Sequence, residues 1–143
     1  MKVSELMTQQ VETVSPDATL QDAAKLMARI DAGVLPIVEN GRLAGIVTDR
    51  DIAVRGVGKG KDPASTPVRD IMSAEVKFTN EDDDIDDVAE TMADLQVRRL
   101  PVVNRDKNVV GIVSLADIAR EKTPRKVGEA LQGISRPGGQ HNA

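Results

Sequence analysis

The stretch VLPIVENGRLAGIVTDRD at residues 34–51 decides the fold, because a near copy, RLPVVNRDKNVVGIVSLAD, returns at residues 99–117. Each stretch has an apolar segment containing a proline, a polar turn and a second apolar segment. The proline fits a strand start or edge, where its missing N–H costs no ladder hydrogen bond. Two apolar runs joined by a short polar turn predict a β-hairpin in each copy.

The repetition extends over most of the chain and indicates two copies of one structural unit. One residue is inserted in the second copy around Asn108, so the shift changes from 65 to 66 residues there. Identical pairs before the insertion include Val3 and Val68, Met7 and Met72, Asp22 and Asp87, Ala24 and Ala89, Met27 and Met92, Ala28 and Ala93, and Pro36 and Pro101.

Each copy also predicts a helix before its hairpin and another after it. Thr19 with Asp22, and Asp84 with Asp87, have the spacing of a cap and an acid in a first helical turn. Apolar residues then recur at helical spacing, namely Leu20, Ala23, Ala24, Met27 and Ile30, and in the second copy Ile85, Val88, Ala89, Met92 and Leu95.

The predicted fold class is α/β, with two β-α-β-β-α repeats related by a pseudo-twofold axis and packed sheet to sheet. The first strand of each repeat is expected at residues 11–14 and 76–78. The expected boundaries are 1–58 for the first repeat, 59–67 for a linker, 68–122 for the second repeat and 123–143 for a short C-terminal helix and flexible tail. The glycine-rich and basic stretch 56–63 is expected to be a flexible loop.

Composition excludes several classes of function. The 143 residues include no cysteine, one aromatic residue and one histidine, His141, and the net charge is -4. Thiolate and histidine chemistry and clustered zinc ligands are therefore not expected, and neither is nucleic-acid binding. The sequence predicts no catalytic activity, no protein metal site and no membrane span, and we expect a cytoplasmic protein.

The chemically informative motif is Gly-Ile-Val-Ser/Thr-x-x-Asp, which places Thr48 and Asp51, and Ser114 and Asp117, at strand-to-helix corners. Free amides at a helix start favour an anion such as a phosphate, and an aspartate one turn later suits a ribose diol. The same spacing is close to a capping box, in which both side chains only close the helix. The two interpretations can coexist.

This repeated constellation resembles a tandem pair of cystathionine-β-synthase (CBS) domains, a Bateman module, over about residues 3–121. The strings TDRDI at 48–52, DP at 62–63 and VRR at 97–99 are similar to the stand-alone bacterial group of hypoxic response protein-like pairs. The resemblance implies a regulatory fold that binds adenosine-containing ligands, such as AMP, ADP, ATP or S-adenosylmethionine, in clefts between the repeats. It also implies a disc-shaped homodimer.

The resemblance implies roles for particular residues. Asp51 and Asp117 would hold the ribose hydroxyls, while Thr48 and Ser114 would meet the ribose or phosphate. The adenine would be enclosed by side chains on or near the strands, namely Val14, Ile37, Val76, Phe78 and Val102.

The two halves are expected to differ in charge. Relatives often carry basic residues just before the strand proline, where this chain has Arg98 and Arg99 in the second copy but Gly33 and Val34 in the first. Arg50 lies in the first corner. We expect one cleft for a phosphate-rich ligand, with Mg²⁺ as a candidate companion, and one weaker or empty cleft. The alternative is that Arg98 and Arg99 are solvent-facing strand residues.

Two further segments have structural and functional interpretations. The acidic run 81–87 is expected to be a solvated helix start, the alternative being a Mg²⁺ or Ca²⁺ site. Val127, Leu131 and Ile134 would share one face of a C-terminal helix that docks on the module or on a partner.

The predicted function is a non-catalytic sensor that binds an adenine nucleotide and regulates a protein partner in trans. The alternative is a ligand-independent interaction or stress-response protein that uses the same fold as a scaffold.

Overall fold

A computed structural model of the chain describes residues 1–73, 75, 77–121 and 124–137. The predicted site residue Val76 and the histidine His141 lie outside these described residues. The chain divides into two compact units, Glu12–Val76 and Met1–Val11 with Lys77–Ala143.

The unit Glu12–Val76 contains α1 (Leu20–Ile30), β1 (Val34–Glu39), β2 (Arg42–Thr48) and α2 (Asp49–Asp51). Strands β1 and β2 form the predicted antiparallel hairpin, with Pro36 opposite Ile46. The expected first strand is reduced to one parallel bridge between Val14 and Ile37. Helix α1 begins as predicted after Thr19, whose side chain accepts from the Asp22 N–H at 3.1 Å.

The core of this unit is the apolar face of α1 packed on the hairpin and on Val68 and Ile71. Ala24, one of the apolar residues at helical spacing in α1, is exposed in the structure. Its repeat mate Ala89 is buried, so the two helices are covered differently. The buried members of the core are Leu20, Ala23, Met27, Leu35, Ile37, Val47, Val68 and Ile71.

The stretch 56–63, expected to be a flexible loop, is helical over its first four residues and irregular over 60–63. A π-helix spans Ile52–Gly56 and a 3-10 helix spans Val57–Lys59. The segment then packs on the start of α1, where the N–H groups of Leu20 and Gln21 donate to the carbonyls of Thr66 and Pro63 at 2.9 and 3.0 Å. The first N–H groups of a helix have no partner within the helix and need acceptors from elsewhere. The carbonyls of this segment supply them, which explains why the segment packs on α1.

The other unit contains β3 (Thr79–Asn80), α3 (Ile85–Leu95), β4 (Arg99–Val103), β5 (Val109–Ser114), α4 (Leu115–Ala119) and α5 (Pro124–Ile134). Its sheet has the order β3-β4-β5, in which β3 is parallel and β5 antiparallel to β4. Strand β3 lies later than the predicted 76–78, because the pairing with β4 begins only at Thr79. The mixed α/β architecture agrees with the predicted fold class.

The N-terminal segment belongs to the unit of the second repeat. Thr8 pairs with Ile112 of β5 through two backbone hydrogen bonds of 2.9 and 3.0 Å, and Val3 is fully buried in this core. Met7 lies directly against Gly111. The N-terminal residues of the first sequence repeat thus complete the sheet of the second.

Helix α5 packs on α3 and α4 through small residues. Ala130 and Gly133 are buried, and Val127 and Ile134 are half-buried against the core. Leu131 is exposed, although the sequence placed it on the docking face. The close approach of the two helix backbones requires small residues at the contact, and this moves the leucine to its edge.

Candidate functional site

The first corner, at the end of β2, caps the start of α2 with a reciprocal capping box. The Thr48 N–H donates to Asp51 Oδ2 at 3.0 Å, and the Asp51 N–H donates to Thr48 Oγ1 at 3.0 Å. Thr48 is only 5% exposed. The described part of the chain offers no further hydrogen bond to Asp51, so its Oδ1 has capacity for another donor.

The second corner, at the end of β5, has the same arrangement. The Ser114 N–H donates to Asp117 Oδ2 at 2.9 Å, and the Asp117 N–H donates to Ser114 Oγ at 3.1 Å. Arg120 donates to the other oxygen of Asp117 at 3.2 Å, and that aspartate side chain is only 13% exposed. A carboxylate has about four acceptor positions, so Asp117 can still accept from a ligand hydroxyl.

Both corners therefore have the capping geometry, which was one of the two interpretations of the motif; the other was ligand binding. Capping uses one carboxylate oxygen and one hydroxyl lone pair at each corner. It leaves acceptor capacity on both side chains and fixes them at the helix start. The structural role thus positions the groups that the binding role would need.

We predict that Thr48→Ala and Ser114→Ala each lower the free energy of unfolding by about 1 kcal/mol, because each removes a helix cap. Urea unfolding followed by circular dichroism measures the loss. Thr48→Ser and Ser114→Thr keep the hydroxyl and are the matched controls. Equal stability of the alanine and hydroxyl variants would contradict the capping role.

A groove of about 350 Å³ lies beside the second corner. Arg98 and Arg99 form its basic part and Ser114 contributes a hydroxyl. Its apolar lining comes from Leu115, Ala116, Ala119, Val127 and Leu131. Both arginines are exposed, and neither has a carboxylate partner among the described residues. Two unneutralised guanidinium groups at the edge of an apolar groove make it a candidate site for an anion with an apolar part.

The first corner has a different charge. Gly33 stands where the second copy has Arg98, and a Cβ there would lie 2.9 Å from Asp49 Oδ2. The Asp49 carboxylate also accepts from the Arg50 N–H at 2.8 Å. Asp49 and Asp51 make this corner acidic, whereas the second corner has Leu115 in place of Asp49. The structure places Arg50 on the exposed surface of the first corner.

The predicted adenine-contacting residues occupy varied places. Ile37 and Val102 are fully buried in the cores of their units, and Val14 is half-buried beside β1. Phe78 is half-buried, and the Lys107 ammonium lies 5.2 Å from its ring centre. One face of the ring is thus covered by a cation.

Sequence reasoning missed the apolar half of the groove at the second corner. Leu115, Ala116 and Ala119 belong to α4, which begins directly after Ser114, whereas Val127 and Leu131 belong to α5. The helical spacing of Val127 and Leu131 was the available signal, and it indicated docking rather than a ligand wall.

The acidic run is a helix start, as expected. Asp84 caps α3 by accepting from the Asp86 N–H at 2.9 Å, and this hydrogen bond lowers the pKa of Asp84. Asp83 accepts from the Thr79 hydroxyl at 2.7 Å and from the Asn80 N–H at 2.9 Å. Within the described ranges, no group of three or more histidine, cysteine, aspartate or glutamate side chains is arranged to hold a metal ion.

The fold and the paired corners define a class of small proteins built from two similar α/β repeats, and comparison with known proteins assigns the family. The CBS-domain family model matches residues 3–57 and 68–123. The chain therefore belongs to the CBS-domain family and carries two copies of the domain. Helix α5 begins at Pro124, after the second match ends.

Relatives support this assignment over nearly the whole chain. The CBS domain-containing protein YhcV of Bacillus subtilis is 45% identical over 134 residues, covering 93% of this chain and 94% of its own. The crystal structure of Hypoxic Response Protein I with two coordinated zinc ions is similar, with a TM-score of 0.79, 34% identity, and coverage of 86% of this chain and 100% of that one. The resemblance to hypoxic response proteins is thus confirmed.

A second similar structure has bound ligands. The CBS domain pair of protein MJ0100, in complex with 5′-methylthioadenosine and S-adenosyl-L-methionine, has a TM-score of 0.75 and 31% identity, covering 84% of this chain and 94% of that one.

Among the described residues, no helix has the length and apolar character that a membrane span requires.

Proposed function

We propose that this CBS-domain pair is a non-catalytic regulatory module that binds an adenine nucleotide, with the second corner as its phosphate-binding site. The observation that carries the proposal is the groove beside Ser114, where Arg98 and Arg99 present two guanidinium groups without a carboxylate partner among the described residues. Arginine pairs with phosphate through charge-assisted hydrogen bonds from a planar fork.

The groups at the corner divide the ligand between them. Arg98 and Arg99 bind the phosphates, and the Ser114 hydroxyl lies at the same groove. Asp117, held by the Ser114 N–H and Arg120, accepts from a ribose hydroxyl with its remaining lone pairs. In the first corner, Asp51 retains a free acceptor oxygen but Asp49 opposes a phosphate, so that corner favours a weaker or less charged ligand.

The ligands of MJ0100 support the adenosine class. That pair, 31% identical, was crystallised with two adenosine-containing molecules, of which one is the uncharged 5′-methylthioadenosine. The two arginines of the present groove favour a phosphorylated adenosine instead, because phosphate oxygens accept paired, charge-assisted hydrogen bonds from guanidinium groups and 5′-methylthioadenosine has no anionic group.

Regulation would proceed by a shift in population. A nucleotide that binds one arrangement of the module more tightly favours that arrangement, and a partner in trans responds to the change. We propose that the module acts as a homodimer. Val54 and Val57, which are 48% and 61% exposed, offer apolar surface for an interface with a second copy or a protein partner.

Thermal unfolding with a ligand panel tests the proposal. We expect ATP, ADP or AMP to raise the melting temperature, since a ligand that binds only the folded state stabilises it by mass action. S-adenosylmethionine and NADH are the comparison ligands. No stabilisation by any adenine nucleotide at millimolar concentration would contradict the proposal and favour the ligand-independent alternative.

A further inference from the structure

Helix α5 supplies side chains to the groove at the second corner, although it lies beyond the residues matched by the family. The CBS match ends at residue 123 and α5 spans Pro124–Ile134. Val127 and Leu131 line the same groove as Arg98, Arg99 and Ser114. The groove is thus formed partly by the family fold and partly by an added helix.

Leu131 is unusual for a residue of a docked helix. It is 49% exposed, one of the few large apolar side chains so exposed in the described residues, and it faces the groove. The buried side of α5 is formed by Ala130 and Gly133 instead. The leucine therefore contributes less to docking than its neighbours and is available for contact with a molecule in the groove.

The position of α5 is set by contacts away from the groove. Gly133 lies against Ala93 of α3, where an added Cβ would come within 2.7 Å of the Ala93 Cβ. The Gln96 side-chain amide donates to the carbonyls of Gly133 and Arg136 at 3.3 and 3.0 Å. Lys126 pairs with Asp86 at 3.2 Å. These contacts hold Leu131 at the groove without using the groove itself.

We infer that Val127 and Leu131 of α5 are ligand-contacting residues that form the apolar wall of the nucleotide site at the second corner. This inference rests on the proposed function. The basic part of the groove complements the phosphates of an adenine nucleotide, and the apolar wall covers its uncharged part. A volume of about 350 Å³ falls within the range of small-molecule sites.

The wall also makes ligand binding depend on the docking of α5. A ligand that contacts α5 only when the helix is docked stabilises the docked state. Undocking of α5 must then weaken ligand binding by the same factor by which the ligand favours docking. In the other unit, Ala24, the repeat mate of the covered Ala89, is exposed, so α1 is not covered at that position as α3 is. The two corners therefore differ in apolar enclosure as well as in charge.

Two pairs of variants test the inference by calorimetric titration with ATP. Leu131→Ala removes the wall and is expected to weaken binding about tenfold. Gln132→Ala, which truncates an exposed neighbour on the same helix outside the groove, is its control and should leave the affinity unchanged.

The second pair changes the docking of α5 without touching the groove. Gly133→Ala introduces the clash with Ala93 and should weaken ATP binding at least as much as Leu131→Ala. Gly128→Ala is the control, because a Cβ at Gly128 meets no atom within 4 Å. Circular dichroism of each variant verifies that the chain stays folded.

The outcomes separate this inference from the proposed function. Weaker binding in Leu131→Ala and Gly133→Ala, with both controls like the wild type, supports it. If the wild type binds ATP and Leu131→Ala binds it equally well, the inference that α5 contacts the ligand is wrong and the proposed function stands. If the wild type does not bind ATP, the proposed function fails and the inference fails with it.

Discussion

Replacing Arg98 and Arg99 together by alanine is expected to weaken ATP binding about 100-fold, because each removed guanidinium takes away a charge-assisted hydrogen bond to phosphate. Both side chains are exposed and have no carboxylate partner among the described residues, so their loss leaves no buried charge unpaired. Stability should therefore change little. Titration calorimetry measures the affinity, and thermal unfolding without ligand measures the stability.

The control for this double variant is Arg105→Ala, which removes an exposed arginine of the same unit that does not line the groove. Its ATP affinity should equal that of the wild type. The effect should also depend on phosphate, so the double variant is expected to lose more affinity for ATP than for adenosine. Unchanged ATP affinity would show that Arg98 and Arg99 are the solvent-facing strand residues of the alternative interpretation.

The second large effect is expected from Gly111→Ala, which should lower the free energy of unfolding by about 2–3 kcal/mol through overpacking. An added Cβ would lie 2.5 Å from Met7 Sδ and 2.9 Å from the Thr8 carbonyl oxygen. A methionine can rotate away, but the Thr8 carbonyl accepts from the Ile112 N–H at 3.0 Å. The substitution therefore forces the N-terminal segment off β5.

The repeat supplies a matched control in Gly45→Ala. Its Cβ would lie 3.1 Å from Met72 Sδ and 3.5 Å from the Ser73 carbonyl, which a methionine adjustment relieves. We expect a change within about 1 kcal/mol, since removing a glycine from a strand also gives a small gain. Urea unfolding of both variants makes the comparison. Equal stability of the two would contradict the tighter packing of the N-terminal segment.

The elements that could be predicted are those governed by local sequence. The hairpins follow from apolar runs around a turn, and α1 begins at its predicted cap, Thr19. The corner motif identified Thr48, Asp51, Ser114 and Asp117, and the structure brings each pair together within 3.1 Å. Each of these features depends on residues close in the chain, which is why periodicity and cap spacing detect them.

The features that could not be predicted depend on packing between distant segments. A sequence repeat does not specify which copy receives the N-terminal residues, so the pairing of Thr8 with Ile112 was not foreseen. The face of α5 was misjudged because Ala130 and Gly133, rather than Leu131, permit its close approach to Ala93. The apolar wall of the groove was missed for the same reason.

The central claim is that the chain binds an adenine nucleotide at the second corner, and equilibrium dialysis of the wild-type protein with labelled ATP tests it most directly. We predict saturable binding that Arg98→Ala with Arg99→Ala largely removes and that Arg105→Ala leaves intact. The first corner, with Asp49 beside Gly33, should contribute little at the same concentrations. An absence of saturable ATP binding at millimolar concentration, or binding that the double variant leaves unchanged, would contradict the account.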